Sequence, residues 1–152
     1  MQYLSLSQLN GFAQMEEWVD ELIVSIIDEF KNVNYTYTDK NGKEFVVFKM
    51  LEYENYSIDE RFIDTKRKQF IVTINMYFDC CTSQTFVIPF KAFESEDEKK
   101  KYVRLTINEW KEKSKPKFDN YVERQENLKK KQEEDDYKKF LELQEKFGNK
   151  KE

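Results

Sequence analysis

The side chains that could do chemistry in this chain are mostly carboxylates, lysines and two cysteines, because the sequence contains no histidine. The commonest general base and metal ligand is therefore missing. Three glycines, Gly11, Gly42 and Gly148, are too few and too scattered to build a phosphate-cradling loop. G-x-S-x-G and C-x-x-C motifs do not occur. We therefore expect a protein that is not an enzyme and that requires no cofactor or metal.

The two cysteines, Cys80 and Cys81, are adjacent in the chain. A trans peptide holds their Cα atoms about 3.8 Å apart, which is closer than an ordinary disulfide accepts. Without a second pair they also make a weak metal site, so we interpret them as turn and core-edge residues. The cysteine usage favours a reducing, cytosolic environment.

One group of acids suggests metal chemistry. Asp64-Thr65-Lys66 is a D-x-K sequence beside a predicted strand, and Asp59 and Glu60 precede it. A Mg²⁺-dependent nuclease uses such carboxylates to hold the metal and orient water. D-x-K is common by chance in a chain this rich in both residue types. A charged loop is the preferred interpretation, and the nuclease is kept as a further alternative.

A basic cluster, Lys66-Arg67-Lys68, leads into the strand predicted over Gln69 to Phe78. Aromatic side chains on a sheet surface beside such a cluster can stack with the bases of single-stranded nucleic acid. Single-strand binding is therefore the main alternative function. Against it, the helix predicted around Tyr102 to Trp110 could cover that face, and the acidic first helix would repel phosphates. The polar and aromatic residues assigned to this face are Tyr35, Tyr37, Thr73, Asn75 and Tyr77.

The negative charge is concentrated at the start of the chain. The formal net charge is −4, yet the first thirty residues contain six acids and neither lysine nor arginine. Apolar residues at three- and four-residue steps from Phe12 to Phe30 predict an amphipathic helix, with starting signals at Asn10-Gly11 and, one turn earlier, at Ser7. Its acidic face is either solvated or docks on a basic partner. The residues of this face are Glu16, Glu17, Asp20, Glu21 and Asp28.

The middle of the chain predicts an antiparallel meander of about four strands. Residues 34–39 and 44–53 alternate around Asn41-Gly42, which favours a hairpin with a type I′ turn. Residues 54–68 are predicted to form a connection, although residues 57–60 resemble a capping box and residues 61–63 could extend a strand. Period-two alternation over 69–78 gives the strongest strand. After a turn at 79–83, Pro89 indicates that residues 84–90 form an edge strand. The expected fold class is α+β.

The last third of the chain predicts a helix and then a charged arm. Ser95-Glu96-Asp97-Glu98 is a capping box, and Pro116 is expected to end or kink the helix. The predicted division is a globular domain over 1–114 and an arm over 115–152. The arm regains apolar residues near its end and can pack on its own body, on a second copy or on another protein. Its candidate binding residues are Leu128, Tyr137, Phe140, Leu141, Leu143 and Phe147.

The sequence as a whole favours a non-enzymatic protein-binding or structural accessory protein. No motif identifies a family. The small size and Lys-, Glu-, Asn- and Tyr-rich composition resemble those of accessory proteins of phages and mobile elements, which implies a virion component or a host-factor antagonist. Neither a signal peptide nor a membrane span is expected. The expected location is the cytoplasm, or the virion if the protein is viral.

Overall fold

A computed structural model describes residues 6–53, 55–78 and 80–148, and it confirms the α+β class. The chain divides into two compact units, residues 1–111 and 112–152. In chain order the elements are helix α1 (Leu6–Asp28), strands β1 (Asn34–Thr38), β2 (Glu44–Lys49), β3 (Tyr56–Asp64), β4 (Gln69–Phe78) and β5 (Cys80–Pro89), a 3₁₀ turn (Phe90–Phe93), and helix α2 (Glu96–Gly148).

Helix α1 begins at Leu6, so Gly11 lies inside it and does not precede it as the sequence suggested. A glycine inside a helix costs only about 1 kcal/mol relative to alanine, which a long amphipathic helix tolerates. The buried face agrees with the predicted periodicity, since Ile23, Ile26, Ile27 and Phe30 are all inaccessible or nearly so. This face supplies one side of the core of the first unit.

Strands β1 and β2 pair with each other as the predicted hairpin. Its turn is not type I′, because Lys68 is the only described non-glycine residue with a positive φ and Asn41 therefore lacks one. The Asp39 carboxylate instead accepts the amides of Asn41 and Lys43 at 2.8 and 2.9 Å. Gly42, at φ +77°, closes a three-residue loop by donating its amide to the Asp39 carbonyl.

The other three strands form an antiparallel sheet in the order β3-β4-β5, so the predicted central strand β4 does lie in the middle and β5 at an edge. The predicted connection over 54–68 is wrong, because it contains β3. A bulge between Ile58 and Glu60 shifts the parity of inward-facing residues from even to odd numbers, which hides the alternation. The predicted turn is also wrong for residues 80–83, since β5 begins at Cys80, and Asp79 lies outside the described residues.

The inner face of this sheet meets α1 and the first part of α2. Val72, Ile74 and Met76 of β4 are buried, and Phe86 of β5 stacks on Phe30 with ring centroids 5.5 Å apart. No charged or polar residue in the described part of the chain is buried. The hydrophobic effect of this single apolar layer therefore holds the first unit together.

Helix α2 starts with the predicted cap, since Ser95 Oγ accepts the amide of Glu98 at 3.2 Å. Val103 is buried in the core and Tyr102 donates a hydrogen bond from its hydroxyl to the Val87 carbonyl at 2.9 Å. The helix does not end at Pro116, which lies inside it. In the turn around Pro116, Lys115 forms an ion pair with Asp119 at 2.8 Å.

Candidate binding surfaces

An exposed apolar stripe lies near the end of α2. Residues spaced by three, four, six and seven lie within about a third of the circumference of a helix with 3.6 residues per turn. Tyr137, Phe140, Leu141 and Phe147 satisfy this spacing, and we call them the arm stripe. Their exposed fractions range from 40% at Leu141 to 67% at Phe147. Large apolar side chains of a water-soluble helix are rarely exposed together in this way unless they bind something.

Two other predicted arm residues lie off the arm stripe. Leu128 precedes Tyr137 by nine residues, a rotation of about 180° around the helix, so it projects from the opposite side. Leu143 lies at the edge of the arm stripe, about 40° beyond Phe147 by the same geometry. Leu128 is nevertheless exposed to a similar extent, at 61%. It is therefore a suitable control for the arm stripe.

The acidic face of α1 is partly engaged within the molecule. Arg61 of β3 lies opposite buried Val72 in the strand register, so it points toward the helix. There it forms an ion pair with Asp20 and approaches Glu16 Oε1 at 3.9 Å. Its guanidinium also lies 3.5 Å from the Glu16 carbonyl. These contacts leave less of the predicted acidic face available to a basic partner.

Asp28, at the end of the same helix, is also held internally. Lys31 pairs with its carboxylate at 2.8 Å, and the Tyr56 hydroxyl donates to it at 2.8 Å. Partial burial tends to raise the pKa of Asp28, but the hydrogen bonds from Lys31 and Tyr56 outweigh it, so the pKa is lowered. Within the described residues, no ion pair reaches Glu17 or Glu21, and both are exposed.

The basic cluster forms the tight turn between β3 and β4. Lys66, Arg67 and Lys68 are all exposed, and Lys68 has a φ of +53°. The Asp64 carboxylate closes the turn by accepting the amides of Lys66 and Arg67 at 3.1 and 3.0 Å. The acid of the D-x-K sequence therefore has a structural partner for one of its oxygens.

The other acids considered for a nuclease do not complete a metal site in the described residues. Asp59 and Glu60 are exposed at the bulge of β3. No group of three or more acids or cysteines in residues 6–53, 55–78 and 80–148 is arranged to hold a metal ion. The geometry thus offers no support for the Mg²⁺-dependent alternative.

The tyrosines predicted for a nucleic-acid surface are not gathered beside the basic turn. Tyr35 and Tyr37 belong to β1, in the other sheet. Tyr35 packs on Trp110 with ring centroids 5.6 Å apart and donates its hydroxyl to the Lys111 carbonyl at 2.6 Å. The side chains of Tyr77, Cys80 and Cys81 lie outside the described residues. The surface assembled from sequence is therefore not the one that the fold builds.

Sequence reasoning missed a different set of residues on the outer face of β3-β4-β5. The strand register places Phe62, Ile71 and Val87 side by side across the three strands. Phe62 is 63% exposed and Val87 49%. We call these three residues the outer apolar row. The bulge in β3 concealed this row. Ile58 faces inward, so regular alternation would place the even-numbered Phe62 inward as well, but the bulge turns it outward.

Comparisons of the chain with protein-family models, with curated proteins and with solved structures found no match. Among the described residues, no helix combines the length and apolar character needed to cross a bilayer. The case for function therefore rests on the surfaces themselves.

Proposed function

We propose that this protein acts by binding another protein, or a second copy of itself, through the arm stripe of α2, and that it has no enzymatic activity. The observation that carries the proposal is the exposure of four large apolar side chains on one side of a preformed helix. An amphipathic helix that lays its apolar side into a groove is a common mode of protein recognition, with anchors at three- and four-residue steps.

The size of the arm stripe sets the strength of binding. Burying a large apolar side chain completely contributes about 1.5–3 kcal/mol, so a few anchors supply enough to offset much of the cost of association. The helix is already formed in the structure, which reduces the entropy lost on binding. The surrounding lysines and acids keep the segment hydrated before it meets a partner, and they add charge selectivity.

The wider biological role that fits such a binding arm is that of an accessory protein. A virion component or a host-factor antagonist of a phage or mobile element would need a folded domain and a recognition helix. This role rests on the composition of the chain, which is rich in Lys, Glu, Asn and Tyr. The site of action would be the cytoplasm or the virion.

The decisive experiment compares two single substitutions in the full-length protein. Phe140→Glu places a charge in the arm stripe, whereas Leu128→Glu places the same charge at an equally exposed residue on the other side of the helix. Sedimentation velocity over a range of concentrations measures self-association. Affinity capture from native cells, followed by titration of the purified partner, measures binding to other proteins.

We expect Phe140→Glu to weaken association at least tenfold, because a buried unpaired charge costs more than the apolar contact it replaces. Leu128→Glu should leave association unchanged, and both variants should keep the circular dichroism spectrum of the wild type. Equal loss of association in the two variants, or none in either, would rule out the arm stripe as the binding surface.

A further inference from the structure

The acidic helix and the outer apolar row lie on opposite sides of the three-stranded sheet. Arg61, which contacts Glu16 and Asp20 of α1, lies on the inner side of the sheet, and its neighbour Phe62 lies on the outer side. The sheet therefore separates the helix acids from Phe62. The sequence argument against nucleic-acid binding, which assumed repulsion by α1, does not apply to this face.

The outer face combines one exposed aromatic ring with rows of small polar groups. Next to the outer apolar row, Thr73 and Thr85 are paired across the strands, with their hydroxyl oxygens 3.1 Å apart. One step further, Asn75 lies opposite Ser83. Hydroxyl and amide groups of this kind can donate to or accept from base edges and sugars.

Cations are concentrated at one end of this face. The turn with exposed Lys66, Arg67 and Lys68 begins two residues after Phe62. Phe90 donates its amide to the Lys68 carbonyl at 2.8 Å, which places Lys91 beside the same turn. Lys91 forms an ion pair with Glu98, with Nζ 3.4 Å from Oε1. Within the described residues, Lys66 and Lys68 have no ion-pair partner.

Acids on or near the face do not cancel this charge. Asp64 is held by the turn amides and lies 3.9 Å from Arg67, while Glu60 lies opposite Thr73, away from the turn. Asp59 is exposed beside Glu60 at the bulge and is also away from the turn. At the turn itself, Lys66, Arg67 and Lys68 stand beside the single acid Asp64, so this end of the face is positive although the whole chain is negative.

We propose that the outer face of β3-β4-β5 binds single-stranded nucleic acid. A base stacks on Phe62, the phosphates that follow it contact Lys66 and Arg67, and the Thr73–Thr85 row contacts the neighbouring nucleotide. An exposed aromatic ring beside a cluster of cations is the combination that holds single strands without strict sequence preference. This inference concerns a separate surface from the arm stripe and does not depend on it.

The charges favour nucleic acid over a protein as the occupant. The centre of a protein interface is usually depleted of charge and built on a broad apolar core. Here the apolar part is a single row of three residues, bordered on one side by a row in which Glu60 lies beside the hydroxyls of Thr73 and Thr85, and on the other by the basic turn. Such an arrangement matches an alternation of bases and phosphates better than an apolar protein surface.

The test uses the full-length protein and a fluorescein-labelled oligo(dT) of about 12 nucleotides, a length suited to one stacking platform. Fluorescence anisotropy at about 50 mM salt measures the dissociation constant, and a salt series measures the slope of log K against log salt concentration. The variants are Phe62→Ala, Phe62→Tyr and the double substitution of Lys66 and Arg67 by alanine. The matched controls are Leu128→Ala, which removes an exposed apolar side chain outside the arm stripe, and the double substitution of Lys129 and Lys130 by alanine, both on the exposed arm.

Phe62→Ala should weaken binding roughly fivefold or more, since stacking on one base is lost, and Phe62→Tyr should restore it. The Lys66 and Arg67 double variant should weaken binding and lower the salt slope by about 1.4, because two phosphate contacts on a single strand are removed. The control variants should bind as the wild type does. Absence of binding at low salt, or equal effects in the variants and their controls, would overturn the proposal. If the protein does not bind the oligonucleotide, and Phe62→Ala instead abolishes binding to a purified protein partner, the outer face is a protein-docking surface and the proposal is overturned.

Discussion

Tyr56 joins the start of β3 to the end of α1 by donating its hydroxyl to Asp28 at 2.8 Å, while the Val24 carbonyl lies 3.3 Å from the same oxygen. Lys31 lies 5.3 Å above the Tyr56 ring and pairs with the same Asp28 carboxylate. Partial burial and the neighbouring carboxylate raise the pKa of Tyr56. These three residues therefore fix the last turn of the helix to the sheet.

The Tyr56 hydroxyl is expected to contribute measurably to stability. Tyr56→Phe should lower the free energy of unfolding by about 1 kcal/mol, because a hydrogen bond to a charged, partly exposed group is lost. Urea denaturation followed by circular dichroism measures the change. Tyr137→Phe is the matched control, since its ring is exposed on the arm and the same atom is removed. A loss of similar size in the control would contradict the assignment.

The same contact predicts a pH dependence with a definite sign. The pKa of Asp28 is lower in the folded protein than the ordinary aspartate value of 3.8, because Lys31 and Tyr56 stabilise the carboxylate. The folded state thus binds this proton less readily than the unfolded chain does, so the stabilisation is present above about pH 4 and is lost as the pH falls through the folded value. Asp28→Asn should flatten this part of the stability profile between about pH 5 and 2. The measurement is the free energy of unfolding at a series of pH values. An Asp28→Asn profile that falls at low pH as steeply as that of the wild type would show that other carboxylates dominate the acid dependence.

The ion pair of Arg61 with Asp20 predicts a salt-sensitive coupling between β3 and α1. In a double-mutant cycle with Arg61→Gln and Asp20→Asn, we expect a coupling energy of about 0.5–1 kcal/mol, because the acid is half exposed and the pair is screened. The coupling should shrink toward zero at about 1 M salt. The comparison is a second cycle with Arg61→Gln and Glu21→Gln. A coupling energy just as large in that cycle would argue against a specific contact between Arg61 and Asp20.

Two glycines are expected to respond to alanine in opposite directions. A Cβ added at either glycine would meet no atom within 4 Å beyond the local backbone, so steric clashes do not decide the outcome. Gly42→Ala should destabilise the protein by about 1–2 kcal/mol, because φ of +77° is strained for a residue with a Cβ. Gly11→Ala should stabilise α1 by about 0.5–1 kcal/mol through helix propensity. Thermal denaturation of the two variants side by side measures both signs, and shifts of the same sign would contradict this account.

Elements with a regular period were predictable from the sequence. The buried face of α1 and the alternation of β4 follow from apolar spacing, and the cap of α2 follows from the side chain of Ser95. The start of α1 and strand β3 had competing signals: Ser7 marked a start close to the observed one but Asn10-Gly11 suggested a later one, and only residues 61–63 suggested part of β3. Gly11 interrupts the first pattern, and the bulge after Ile58 breaks the second, so local rules suggested an end where the chain continues.

The candidate surfaces divide in the same way. The arm stripe could be read from helical spacing, because residues on one exposed helix depend on no partner for their relative position. Part of the outer face was predicted, because Thr73, Asn75 and the basic cluster were assigned to one surface. The outer apolar row could not be predicted, since it joins residues from three strands whose register is set by turns and a bulge. The sequence alone thus determined the fold class, the concentration of acids near the start and the helical spacing of the apolar residues near the end of the arm. Only tertiary structure decided that Arg61 engages those acids on one side of the sheet while Phe62 and the basic turn stand on the other, because the side on which a strand residue lies depends on long-range pairing.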